Sequence, residues 1–62
     1  MAKFRVRTTD WQGTEVDNDF EWQSDADECF FGSQHDDHQK VEQFNVWSTG
    51  TEDLVAEWHN QE

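Results

Sequence analysis

The sequence predicts a small α+β domain of order ββαββ, two β-hairpins forming one sheet with a single helix packed on one face. Three observations predict it. The stretches GTEVDNDFEW (Gly13 to Trp22) and GTEDLVAEW (Gly50 to Trp58) open and close on the same words, and each follows a Phe-x-Val run, Phe4-Arg5-Val6 or Phe44-Asn45-Val46. Both alternate residue by residue, the period of a strand. Between them, Ala26, Cys29, Phe30 and Ser33 recur at helical spacing, and no proline interrupts any element.

The elements follow in order. From Lys3 to Thr9, Phe4, Val6 and Thr8 point one way while Arg5, Arg7 and Thr9 point the other. Asp10-Trp11-Gln12-Gly13 reads as a turn, with glycine supplying a positive φ. The alternation resumes at Glu15, with Val16, Asn18, Phe20 and Trp22 on the apolar face and Glu15, Asp17, Asp19 and Glu21 on the exposed one. Asn18 interrupts the apolar phase, which marks a bulge or a late strand start. Ser24 has the chemistry of a helix N-cap, and Asp25, Asp27 and Glu28 suit the first turn, where the helix dipole favours anions. The helix is expected over Asp25 to His38, weakened at Gly32 by about 1 kcal/mol relative to alanine. In the second hairpin, Phe44, Val46 and Ser48 are expected on the core face and Asn45, Trp47 and Thr49 on the other. Ser48-Thr49-Gly50-Thr51 turns the chain, and Leu54, Ala56 and Trp58 return on the core side. The helix should therefore cover the Phe44/Trp58 face, leaving Trp47 and Val55 facing water.

At 62 residues the chain is expected to form one domain, residues 1–62, of marginal stability because so short a chain buries little of its surface. Its hydrophobic fraction is 32%, low enough to lean toward disorder, but four tryptophans and five phenylalanines supply a compact aromatic core. The single cysteine, Cys29, rules out an intrachain disulfide. No apolar run approaches the roughly 20 residues of a membrane span, and the N-terminal stretch lacks the apolar centre of a signal peptide. A cytoplasmic setting is expected.

Fifteen acidic residues against four basic ones give a net charge of −11, beyond the roughly 2–8 comfortable for a small domain. Such a chain repels nucleic acid and anionic membranes and attracts basic protein surfaces. Same-face residues on a strand lie about 6.7 Å apart, so Glu15, Asp17, Asp19 and Glu21 alone imitate DNA sparsely. With Asp25, Asp27, Glu28, Asp36 and Asp37 they could form a phosphate-like surface. Cross-strand pairing with Arg5 and Arg7 would absorb part of that charge. Trp47 and Val55 complete the expected partner-binding set, because exposed tryptophan is enriched at interface hot spots.

Catalytic equipment is missing: the three glycines are isolated and form no phosphate loop, and no strained nucleophile turn is recognisable. No cofactor is called for. The expectation is a non-enzymatic acidic protein-binding module, in its most concrete form a phage-type inhibitor that masks the basic nucleic-acid-binding surface of its target. One alternative is a salt-adapted accessory domain that homodimerises, its acidity serving solubility. Another is weak metal binding through His35 and His38, spaced for one helix face, with Cys29 one to two turns earlier.

Overall fold

The structure, a computed structural model, describes residues 3–60. Strands β1 (Phe4–Thr9) and β2 (Glu15–Phe20) precede helix α1 (Gln23–Ser33), and strands β3 (Lys40–Val46) and β4 (Glu52–His59) follow it. This is the ββαββ order predicted above. The four strands make one antiparallel sheet in the order β2-β1-β3-β4. The first strands of the two hairpins thus lie side by side at its centre.

The helix packs over β1, β2 and β3 and not over β4. Val6, Val41, Ala26 and Phe30 form the buried cluster, with Phe4, Phe20, Cys29, Ala56 and Trp58 packed around it. Phe30 and Phe31 meet edge to face, 5.6 Å between centroids.

Both hairpin turns share one geometry. In the first, the N–H of Asp10 donates to Thr14 O and that of Gly13 to Asp10 O. In the second, Trp47 donates to Thr51 O and Gly50 to Trp47 O. Gly13 and Gly50 sit at φ of 91° and 89°, which is the three-residue hairpin loop closed by a glycine in the left-handed region. The repeated Gly-Thr therefore encodes a repeated turn.

Several sequence expectations are corrected. The helix starts at Gln23 with Trp22 as N-cap and no capping side chain, so Ser24 already lies inside the first turn. Packing of Ala26 and Phe30 against the sheet fixes where the helix runs, and a favourable cap two residues on does not override it. Past Ser33 the backbone bonds shorten to the i−3 pattern, Gln34 to Phe31, His35 to Gly32 and Asp36 to Ser33, so the α-helix does not reach His38. Asn18 lies in regular register opposite Val6, without a bulge. β2 ends at Phe20, which puts Glu21 and Trp22 outside the strand.

The largest correction concerns β3, which begins at Lys40 rather than Phe44. Its helix-facing residues are Val41, Gln43 and Asn45, since they pair with Thr8, Val6 and Phe4. Phe44 and Val46 face the opposite side, and Phe44 lies opposite Arg5. A polar residue in the buried phase hid this pattern: Gln43 is only 5% exposed, and its amide donates to Asp27 Oδ1 at 2.9 Å. Satisfied in that way, a buried amide costs little. A bulge then splits β4. Gln43 pairs with Ala56 but Phe44 with Leu54, so Val55 is the extra residue. Ala56 and Trp58 stay on the helix side, whereas Leu54 moves to the open face and is half exposed.

Candidate functional site

The open face of the sheet is built around two arginines. Arg5 and Arg7 alternate with the buried residues of β1, which obliges both to lie on the side away from the helix. Arg5 donates to both carboxylate oxygens of Asp19, at 2.7 and 3.2 Å, and to Glu52 at 2.9 Å. Arg7 donates to both oxygens of Asp17, at 2.7 and 3.3 Å, and to Glu52 at 3.2 Å. Asp17 and Asp19 are the direct cross-strand partners in β2, while Glu52 lies two strands away in β4, so the guanidinium groups reach over β3 to it. Arg7 covers Phe44, its guanidinium carbon 4.9 Å from the ring centroid, within the range of a cation–π contact. Phe44 is only 9% exposed although no helix covers it.

The hydrogen bonds set the electrostatics. Bonding to Asp19, and then to Glu52, raises the Arg5 pKa above its ordinary value, and bonding to Asp17 raises that of Arg7. The Arg5 hydrogen bond holds the Asp19 carboxyl below its ordinary 3.8, against a smaller opposing effect of desolvation. Lys40 pairs with Glu42 at 3.4 Å. Three of the four cations are thus engaged in ion pairs on the open face.

The expected binding residues divide between two sides of the molecule. Glu15, Asp17 and Asp19 lie on the open face of β2, exposed, with Asp17 and Asp19 held by arginine. Glu21 follows the strand end. Asp25, Asp27 and Glu28 ride on α1, on the other side of the sheet. Asp25 and Glu28 border a shallow depression with Phe20 and Cys29, while Asp27 is tied to Gln43. Asp36 and Asp37 lie in the α1–β3 connection, where Asp37 accepts the indole N–H of Trp11 at 2.7 Å. Trp47 is 53% exposed in the β3–β4 turn and donates its indole N–H to Asp53 at 2.6 Å. Val55, in the bulge, is 51% exposed.

Among the described residues, no group of three or more His, Cys, Asp and Glu side chains could hold a metal ion. His38 Nδ1 lies 3.1 Å from the carbonyl oxygen of Ser33 at the helix end, and Cys29 Sγ lies 3.9 Å from Ser33 Oγ. No helix among the described residues is long and apolar enough to cross a membrane.

Sequence reasoning missed the roles of Phe44, Glu52 and Gln43. The spacing of Phe44 from its turn glycine was the available signal. No family model matches the chain, and neither a curated protein nor a solved structure matches it.

Proposed function

We propose that this chain is a non-enzymatic acidic protein-binding module that covers the basic, nucleic-acid-binding surface of a target protein with its helix side. The observation that carries this reading is a segregation of charge. From Glu21 to Gln39 the chain has six carboxylates and no lysine or arginine. The cations Arg5, Arg7 and Lys40 are engaged elsewhere, with carboxylates of the open face. Among the described residues, Asp25, Glu28 and Asp36 form no ion pair with a cationic side chain, and a basic partner can discharge their negative field. Exposed Trp22 and Phe31, at either end of the helix, supply apolar contact beside that charge. Association of this kind is steered electrostatically and weakens with salt.

The test uses the heparin-retained proteins of the cells that encode the chain, bound to a labelled DNA duplex. The chain should displace the duplex at low salt, and displacement should fall steeply as salt rises. The triple variant Asp25→Asn, Glu28→Gln, Asp36→Asn should lose most of this activity while keeping the wild-type circular dichroism. Equal displacement by the variant, or none by the wild type, defeats the reading.

A further inference from the structure

The sheet has two free edges, β2 and β4, and they differ in what they offer. On β4, the Asn60 N–H donates to Gln39 O and the Trp47 N–H to Thr51 O. These bonds fix the phase of the ladder at both ends. Alternation then turns the backbone N–H and C=O of Glu52, Leu54, Glu57 and His59 away from β3, toward the outside of the sheet. The helix does not extend over this strand.

Exposed edges are ordinarily guarded by lysine, proline, bulges or cover. β4 contains neither lysine nor proline, and no Lys or Arg occurs from Val41 to Asn60. Its guards are the bulge at Val55 and the carboxylates of Asp53 and Glu57, Glu52 being held already by Arg5 and Arg7. A carboxylate guard is selective. It repels a second copy of a chain carrying −11 charges and attracts a cationic strand. Glu57 is bound at 2.9 Å by His59 Nε2, an ion pair only when that imidazole is protonated. Beside these groups, Leu54 and Val55 are about half exposed, at 50% and 51%. β2 is the poorer edge for a cationic strand. The Asp10 to Thr14 bond sets its phase, so its outward backbone belongs to Glu15, Asp17 and Asp19. Arg7 and Arg5 already occupy Asp17 and Asp19.

We infer that the β4 edge takes an extended basic segment of the partner as a fifth strand. The segment alternates Lys or Arg with β-branched apolar residues. Main-chain bonds to Leu54 and Glu57 hold it, its cations meet Glu57 on the open face with their aliphatic stems over Leu54, and its apolar residues fall on the opposite face beside Ala56 and Trp58. Strand addition of this kind draws affinity from the backbone and specificity from alternate side chains. The inference rests on the reading of a basic partner but uses a different surface from the helix side.

The experiment compares two synthetic peptides of identical composition. One alternates arginine with valine, and the other carries all its arginines before its valines. Binding is measured by calorimetry, and amide exchange is followed at Leu54 and Glu57. The alternating peptide should bind about tenfold or more tightly than the blocked one and should slow exchange at both amides. Glu57→Pro should abolish that preference, because the amide it removes faces outward and carries no ladder bond. Glu57→Lys repeats the test by charge alone should the proline variant fail to fold. Equal binding of both peptides without protection at Leu54 and Glu57 overturns strand addition, and leaves the helix-side reading to the duplex-displacement result. Binding of neither peptide overturns it as well. Concentration-dependent protection of those amides without peptide also overturns it, in favour of a second copy of the chain.

Discussion

The two hairpins share their turn and little else. Gly13 and Gly50 close the same loop, yet Phe4 and Val6 face the helix while Phe44 and Val46 face away from it. The cause is spacing. Phe4 lies nine residues before its turn glycine and Phe44 lies six before its own. An odd difference in a structure of period two reverses every side chain. The return strands differ as well. β2 pairs with β1 without interruption, whereas the bulge at Val55 lets β4 serve both faces, with Leu54 on the open side and Ala56 and Trp58 on the other. A repeated phrase thus specifies a repeated turn, and the distance to the turn decides which side of the sheet each aromatic serves.

Replacing Phe44 should have the largest effect on this contrast. It is buried beneath the Arg7 guanidinium rather than beneath a helix. If that roof excludes water as a core does, Phe44→Ala should cost about 3–5 kcal/mol in urea unfolding, enough to leave so small a domain largely unfolded. A loss below about 1 kcal/mol, the range of an exposed substitution, would mean that the open face contributes no packing and that all the stability lies on the helix side.

What could be read from the residues themselves follows the same line. Order, fold class and both turns were legible because Gly-Thr, the alternation of β1 and β2, and the pair Ala26/Phe30 are local signals. The ion pairs of Arg5 and Arg7 with β2 were legible too, since hairpin register follows from the loop. The face of Phe44 was misread because Gln43, a polar residue, occupies the buried phase and is satisfied by Asp27, a residue distant in sequence. The extra residue at Val55 has no local marker, because no glycine stands there. Glu52 could be placed with the arginines only once β1 and β3 were known to be neighbours, which is a fact of tertiary structure.

The shared turn can be tested next, with a smaller expected effect. A Cβ added at Gly13 or at Gly50 meets nothing within 4 Å, so substitution there is opposed by backbone conformation alone. Gly13→Ala and Gly50→Ala should each cost about 1 kcal/mol, and nearly the same amount. Asp10 Oδ1 accepts the N–H groups of Gln12 and Thr14, a support that Trp47 cannot give the second turn. Markedly unequal costs would show that this side-chain bonding, rather than the glycine, sets the first turn.

The smallest effect expected is on the pH dependence of the first hairpin. The Arg5 hydrogen bond lowers the Asp19 pKa below 3.8 in the folded chain. A carboxyl depressed by folding contributes stability above its unfolded pKa and loses it as pH falls through the folded one. Wild type and Asp19→Asn should therefore differ at pH 6, the variant being weaker by less than about 1 kcal/mol, since an exposed pair is screened by solvent. That difference should shrink as the pH falls below 3.8, where the wild-type carboxyl takes up its proton. The remaining carboxylates titrate in both proteins and cancel in the comparison. Urea is the appropriate denaturant because guanidinium salt would screen the pair. A difference that stays constant from neutral pH into acid would assign the effect of the substitution to packing and remove Arg5–Asp19 pairing as the distinguishing feature of the first hairpin.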